Sequence, residues 1–184
     1  MNSIRALVPL ADGFEEIEAI TVIDILRRAG IEVVAAGLKE GEVVASRKTR
    51  HLADVSLDQV VHETFDAMIL PGGQPGTNHL KSDPRIRECV LRHMRAGKWV
   101  AAICAAPIVL QELGILTGKQ ATSHPSVREQ LSGAHYREER VVVDGKLVTS
   151  RSAGTAMEFA FKLVELLCGP QKVKEVNQGV LAQI

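Results

Sequence analysis

The chain has 184 residues, 46% hydrophobic and 24% charged, with 22 Lys and Arg against 22 Asp and Glu. These values predict one globular domain, residues 1–184, and the balanced charge does not indicate a nucleic-acid partner. No apolar run is as long as a membrane span, and Arg5 and Pro9 break up any signal peptide at the start. A cytoplasmic location is therefore predicted. In that reducing compartment the three cysteines are not expected to form a disulfide framework.

Apolar β-type runs alternate with helical patterns along the chain, which is typical of a mostly parallel sheet covered by helices on both faces. The predicted strands are, in order, IRALVPL, IEVVAAGL, FDAMILPGG and KWVAAIC. The predicted helices are residues 15–29, DPRIRECVLRHMRAG with Asp83 as its N-cap, AAPIVLQELG, TAMEFAFKLVELLCGP and QKVKEVNQGVLA. Asp144 and Gly145 lie between two β-type runs and predict a β-hairpin. The basic clusters RKTRH and HYREER are interpreted as solvated loops.

Cys104 follows the strand KWVAAI and precedes a predicted helix, at the strand end where open α/β sheets bind ligands. The alanines around it leave room for a tight turn that holds the sulfur up, as in a nucleophile elbow. Helix N–H groups would lower the pKa of such a cysteine. The alternative is a buried cysteine that serves as a small hydrophobic residue. That second interpretation is adopted for Cys89 and Cys168, which lie in or at the end of amphipathic helices.

Two carboxylates near the start of the first helix, Glu15 and Glu18, each head an apolar column of the helix. A carboxyl group drawn into a dry crevice keeps its proton to higher pH and can donate it or exchange it with a thiol. Periodicity does not decide which of the two points inward. The simpler interpretation is that acids at a helix start complement the helix dipole.

Three further features have both a functional and a structural interpretation. Gly72 and Gly73 follow the third strand, so their N–H groups could approach a ligand closely, or they could form an ordinary turn. His124 precedes Pro125 where a β-type run breaks, which suits a histidine presented at a strand end or a structural one. Cys89 and His93 are four residues apart on a helix, but no further ligand motif accompanies them, so neither a metal site nor a cofactor is predicted.

Taken together, the segments RALVPLADGFEEIEAITVIDILRRAGIEVVAAGL, MILPGG, AAICAAP, SHP and GAHYREERVVVDGKLVTSRSAGTAMEFA resemble the ThiJ/PfpI superfamily. The closest similarity is to its DJ-one branch, which includes parkinsonism-associated deglycases. The segments occur in family order over nearly the whole length. The resemblance implies a flavodoxin-like three-layer sandwich and a homodimer.

The resemblance also implies a set of site residues. Cys104 would be the nucleophile, Glu18 its protonated carboxyl partner, and His124 a neighbour of the cysteine. Gly72, Gly73 and Ala105 would form a backbone pocket that Glu15, Arg47 and Arg151 line or brace. Of the two carboxylates, it is the resemblance that selects Glu18 over Glu15.

The implied function is a cysteine-dependent, glutathione-independent glyoxalase or deglycase, acting on methylglyoxal, glyoxal or glycated proteins. The alternative is a non-enzymatic oxidative-stress sensor or redox-regulated chaperone in which Cys104 stops at sulfinic acid. A cysteine peptidase or amidotransferase is disfavoured, because such relatives place His directly after the nucleophile or supply a full triad, whereas here Ala105 follows. The chain also departs from close relatives at Ser152 and Ala153, where they have a Gly-Pro pair.

Overall fold

Seven strands form the central sheet of the computed structural model, which describes residues 3–184 of the chain. Residues 1 and 2 of the predicted domain lie outside the described residues. The sheet strands are β1 (Arg5–Leu10), β2 (Glu32–Gly37), β5 (Val55–Ser56), β6 (Ala67–Leu70), β7 (Trp99–Ile103), β10 (Val141–Asp144) and β11 (Leu147–Ser150). Two short ribbons lie outside it: β3 (Glu42–Val44) with β4 (Arg50–Leu52), and β8 (Gln120–Ala121) with β9 (His135–Tyr136).

The strand order is β10-β11-β7-β6-β1-β2-β5, and every neighbouring pair is parallel except β10 with β11. From β1 the chain adds β2 and β5 on one side of the sheet, and it then adds β6 and β7 on the other side of β1. The carboxyl ends of β1, β6 and β7 therefore meet at the point where the strand order reverses. In open α/β sheets this is where ligands bind.

Helices cover both faces of the sheet. They are α1 (Glu16–Arg28), α2 (Leu57–Val60), α3 (Gly76–Ser82), α4 (Pro84–Arg95), α5 (Pro107–Glu112), α6 (Ala156–Cys168) and α7 (Pro170–Val180), with 3-10 turns at Pro125–Gln130 and Ala153–Thr155. One apolar core joins α1, α6 and α7 to one face, and a second joins α2, α4 and α5 to the other. Successive strand residues alternate between the cores, as Ala6 and Leu7 of β1 show.

The predicted fold class, a flavodoxin-like three-layer sandwich with a mostly parallel sheet and a β-hairpin, is confirmed. Asp83 caps α4 as predicted, since its side chain accepts a hydrogen bond from the Arg85 N–H. The hairpin is present, but Asp144 pairs with Leu147, so its turn residues are Gly145 and Lys146, one position later than predicted. Both clusters interpreted as loops contain short strands, because RKTRH runs into β4 and HYREER begins with β9.

None of the helices in the described part of the chain is both long and apolar enough to cross a bilayer.

Candidate active site

Cys104 lies directly after β7 in a strained backbone conformation. Its φ angle is 64°, in the left-handed region that a non-glycine residue rarely adopts. The Cys104 N–H donates to the Ser150 carbonyl over 3.0 Å, and its carbonyl accepts from the His124 N–H over 2.8 Å. The two residues that follow, Ala105 and Ala106, are buried, so the turn packs tightly against the rest of the protein. These contacts hold the half-buried thiol at the carboxyl edge of the sheet, as an elbow does.

Glu18, in the first turn of α1, is the carboxyl group next to this thiol. Its side chain has no exposed surface, and its Oε2 accepts a hydrogen bond of 2.9 Å from the Gly72 N–H. Within residues 3–184 its other oxygen, Oε1, has no hydrogen-bond partner. Burial, aided by the nearby charge of Glu15, raises the pKa of Glu18 to about 7. The Cys104 thiol and the N–H groups of Gly72 and Ala153 act in the opposite direction.

The pKa of Cys104 shifts in the direction opposite to the one predicted from its place before a helix. Burial, followed by the charge of Glu18 and a hydrogen bond with it, raises the pKa of the thiol to about 12. The N–H groups of Ala105 and Gly73 lower it, but by less. Helix α5 begins only at Pro107, so the thiol lies beyond the turn where a helix dipole acts strongly.

The two pKa values together describe a pair of groups that shares a single proton. From about pH 7 upward the buried site holds one negative charge, because burial and mutual repulsion oppose a second. That proton belongs to the pair, and the pair titrates as a unit. The Glu18 carboxylate can therefore take the proton of the Cys104 thiol as the sulfur attacks an electrophile.

Gly72 and Gly73 close the site from the side of β6. A Cβ on Gly72 would lie 2.6 Å from both Glu18 Oε2 and Cys104 Cβ, so only glycine lets the carboxyl and the thiol meet there. Gly73 has a φ of +90°, and a Cβ there would lie 2.5 Å from the Glu15 backbone nitrogen. The glycine pair thus allows the Cys104 turn, the Glu18 carboxyl and the start of α1 to pack closely together, and the close approach of a ligand to these glycines stays a prediction.

The other residues predicted to line or brace the pocket are Glu15, Arg151 and Arg47, and their hydrogen bonds show which segments they hold. Glu15 is the N-cap of α1, and its side chain accepts from the Glu18 N–H over 2.8 Å. Arg151 donates from Nη1 to the Glu138 carbonyl over 2.8 Å and braces the loop after β9. Arg47 is exposed, and its backbone N–H binds Glu16 Oε1 over 2.7 Å. These contacts place Glu15 as a brace of the pair, whereas Arg47 and Arg151 brace the surrounding loops.

His124 lies beside the cysteine through its backbone, and its ring is half-buried. Its Nδ1 accepts from the Ser126 N–H over 3.2 Å and lies 2.7 Å from the Ser126 hydroxyl. This bonding pattern assigns the ring proton of the neutral histidine to Nε2. In that state His124 presents a donor, rather than a base, from its free side.

Glu16 is a neighbour of the site that sequence reasoning did not single out. Its carboxylate accepts from the Ser46 hydroxyl, the Arg47 N–H and the Thr49 hydroxyl, which fixes the β3–β4 ribbon on the start of α1. Burial opposes its charge, but these hydrogen bonds outweigh burial and lower the pKa of Glu16. The signal in the sequence is its place between Glu15 and Glu18 at the start of an apolar helix.

The described residues contain no group of three or more His, Cys, Asp or Glu side chains that could hold a metal ion. Cys89 and His93 instead form a helical pair in which His93 Nδ1 donates to the Cys89 carbonyl over 2.7 Å.

Comparison with known proteins agrees with this fold. Residues 4–166 match the sequence model of the DJ-1/PfpI family. The chain is 46% identical over 179 residues to the protein dj-1beta of Drosophila melanogaster, covering 96% of each chain. It is 38% identical to the glutathione-independent glyoxalase DJR-1.2 of Caenorhabditis elegans, covering 95% of this chain and 94% of that one. The crystal structure of Drosophila DJ-1beta superposes with a TM-score of 0.96 at 45% identity over the whole of both chains.

Proposed function

Since the chain belongs to the DJ-1/PfpI family, we propose that it is a glutathione-independent glyoxalase that converts reactive dicarbonyls such as methylglyoxal or glyoxal into hydroxy acids. The observation that carries the proposal is the buried pair of Cys104 and Glu18, which supplies a nucleophile and a proton carrier at one strand end. A relative of similar length bears the name of this activity.

The reaction begins when the Cys104 sulfur attacks the aldehyde carbon. As the C–S bond forms, the thiol proton passes to the Glu18 carboxylate and from there to the carbonyl oxygen, which gives a hemithioacetal and leaves Glu18 ionised for the next step. The N–H groups of Gly73 and Ala105 interact with the sulfur. They can also donate hydrogen bonds to the substrate oxygen and stabilise the negative charge that develops on it. His124 can donate from Nε2 to a substrate oxygen.

The hemithioacetal then isomerises without an external oxidant. Glu18 removes the proton from the former aldehyde carbon, and the neighbouring ketone carbon receives a proton, which leaves a thioester of a 2-hydroxy acid. Water cleaves the C–S bond of this thioester, and the sulfur regains its proton. The sum is methylglyoxal plus water giving lactate and a proton, so atoms, charge and electrons balance. In the related deglycase reaction the same pair acts on the adducts of dicarbonyls with Cys, Arg or Lys side chains of proteins.

A second candidate, an oxidative-stress sensor with a chaperone role downstream, draws on the same thiol. Cys104 is half-buried, and the backbone donors and Glu18 around its sulfur could hold the oxygens of a sulfinate. Two equivalents of peroxide would each transfer one oxygen to the sulfur and release water. In this function no dicarbonyl is consumed.

Turnover of methylglyoxal in the absence of glutathione tests the first candidate against the second. The purified protein should form lactate catalytically, Cys104→Ala should abolish it, and Cys168→Ala, the matched control, should retain it. If the wild-type protein forms no lactate, yet oxidation of Cys104 by mild peroxide stops at sulfinic acid, the sensor function is supported and the enzymatic function is refuted. Full turnover by Cys104→Ala would refute cysteine catalysis.

We also propose that the protein is a cytoplasmic homodimer whose residues 1–184 form one domain. Ile17 and Ile20 on α1 are 55% and 40% exposed, and Leu52 on the adjoining ribbon is 81% exposed. Exposed apolar side chains on neighbouring elements favour burial against a second copy of the chain. Sedimentation should give a mass near twice 19.9 kDa, and a monomer at all concentrations would exclude the dimer.

A further inference from the structure

Ser126, in the loop after β8, has no role in the sequence pattern or in the proposed mechanism, yet it contacts the His124 ring through two groups. Its backbone N–H donates to His124 Nδ1 over 3.2 Å, and its hydroxyl lies 2.7 Å from the same nitrogen. A backbone N–H can only donate, so Nδ1 accepts, and the hydroxyl therefore donates to it as well. Both hydrogen bonds would be lost if the ring proton moved to Nδ1.

The local sequence brings the serine back onto the histidine. Pro125, which lies between them, is the first residue of the 3-10 turn Pro125–Gln130, and His124 has the extended conformation that a residue before proline prefers, with φ −59° and ψ 137°. The N–H groups at the start of a helical turn have no partner within the turn. His124 is the N-cap, so an imidazole nitrogen accepts the Ser126 N–H where a serine or aspartate oxygen is usual.

Hydrogen bonds on both sides fix the backbone of His124 next to the nucleophile. Its N–H donates to the Cys104 carbonyl over 2.8 Å, and its carbonyl accepts from the Ser123 hydroxyl over 3.1 Å. The Tyr136 hydroxyl donates to the Ser123 carbonyl over 3.0 Å and holds the segment from the side of β9. Since the backbone is fixed, rotation of the side chain is the freedom that remains to the ring, and the two contacts with Ser126 restrict it.

The other ring nitrogen of His124, Nε2, is left for a different partner. It makes no hydrogen bond with any of residues 3–184, and it keeps contact with solvent. An N–H on a residue that adjoins the nucleophile can donate to a carbonyl or alkoxide oxygen of a substrate bound there. A ring held in this state favours substrates that present an oxygen acceptor, as dicarbonyls do.

We propose that Ser126 is a positioning residue, which holds the His124 ring and keeps the ring proton on Nε2, so that the ring donates a hydrogen bond to the substrate oxygen. The inference deepens the proposed function and rests on it for the substrate. The tautomer of the ring is a property of the free protein and is measured without a dicarbonyl. The simpler alternative, in which His124 only caps the 3-10 turn, predicts that changes at Ser126 affect stability alone.

Three substitutions at Ser126 separate these interpretations. Ser126→Ala removes the hydroxyl and keeps the N–H, Ser126→Thr keeps both groups, and Ser126→Asp replaces the hydroxyl donor with a carboxylate that can only accept. Aspartate is favoured near the start of a helical turn, so we expect this variant to fold. Ser132→Ala, which removes an exposed hydroxyl shortly after the same turn, is the matched control.

The first readout is the nitrogen-15 NMR spectrum of the His124 ring, recorded in alkaline buffer where an ordinary histidine is neutral. The wild-type protein, Ser126→Thr and Ser132→Ala should carry the proton on Nε2. In Ser126→Ala the ratio of the Nε2–H to the Nδ1–H tautomer should fall by about two- to tenfold, which corresponds to one neutral hydrogen bond. In Ser126→Asp the carboxylate should attract the proton to Nδ1, so the ratio should fall further.

The second readout is the formation of lactate from methylglyoxal. Ser126→Asp should lower kcat by about tenfold or more and Ser126→Ala by less, whereas Ser126→Thr and Ser132→Ala should match wild type. An unchanged tautomer ratio in both Ser126→Ala and Ser126→Asp would overturn the inference, and so would full turnover by Ser126→Asp with its ring proton on Nδ1. If the wild-type protein forms no lactate, the proposed function fails, and the tautomer ratios alone decide whether Ser126 positions the ring.

Discussion

Cys104 and Cys89 are two cysteines whose thiol pKa values are both raised by burial, yet their surroundings differ. Cys89 lies inside α4 with no exposed surface, and its thiol contacts the Val61 carbonyl and Arg92. Cys104 is half-buried in a strained turn beside a carboxyl group whose pKa is about 7. The comparison teaches that the reactivity proposed for Cys104 depends on a neighbouring proton acceptor and on an accessible position at the edge of the sheet. A low thiol pKa is not the source of it.

Removing the proton acceptor Glu18 should produce the largest effect on turnover. In Glu18→Gln a donor of similar shape remains, but the side chain cannot accept the thiol proton, so methylglyoxal turnover should fall by about 10²–10⁴-fold. The loss of the carboxylate charge should lower the Cys104 pKa in this variant. Glu18→Leu also removes the donor, so its thiol pKa should be higher than that of Glu18→Gln.

These changes are measured by titrating the thiolate absorbance alongside steady-state kinetics. If wild type, Gln and Leu share one thiolate pKa and one turnover rate, Glu18 is only an acid at a helix start.

The three cysteines should differ in their rates of alkylation, by a smaller factor than the loss of turnover expected for Glu18→Gln. Cys104 should react with iodoacetamide about 100-fold faster than Cys89 or Cys168, because its thiol is accessible and Glu18 can take its proton. The rate at Cys104 should rise as pH passes about 7, where Glu18 becomes ionised. Peptide mapping by mass spectrometry measures all three sites in one sample. Equal labelling of the three would show that the site is not activated.

The buried carboxyl should make stability depend on pH in an unusual direction. The folded protein keeps the Glu18 proton up to about pH 7, whereas a Glu in the unfolded chain loses it near 4.5. Between these values the unfolded chain binds fewer protons, so the free energy of unfolding falls as pH rises, by about 3 kcal/mol in total.

In Glu18→Gln that loss is absent, so the variant should gain stability relative to wild type as pH rises through this window. Urea denaturation across the window measures it. Parallel stability curves for the two proteins would contradict the raised pKa.

The close packing of the Gly72 loop against Cys104 and Glu18 should not tolerate even one added methyl group. Gly72→Ala places a Cβ 2.6 Å from both Glu18 Oε2 and Cys104 Cβ, and we expect a loss of about 2 kcal/mol of stability together with a displaced carboxyl. Gly154→Ala, with open space around its Cβ, is the control and should stay close to wild type. Thermal unfolding of both variants tests this, and similar melting temperatures would show that the glycine is not required.

Much of the scaffold follows from local patterns in the sequence. Alternating strand and helix patterns predict the parallel sheet, Asp83 predicts the start of α4, and the small residues around Cys104 predict the tight turn after β7. The β3–β4 and β8–β9 ribbons were missed because strands of two or three residues carry too little periodicity to be distinguished from loops.

The sequence by itself determined that a cysteine would stand at the carboxyl end of a buried strand, because strand, turn and helix signals act over a few neighbouring residues. Only the tertiary structure decided which groups surround that cysteine. Periodicity left Glu15 and Glu18 equivalent, and burial against the Gly72 loop separates them, since the loop is 54 residues away in the chain. The direction of the Cys104 pKa shift likewise depends on burial and on the charge of Glu18, brought together from distant segments, which a local pattern does not encode.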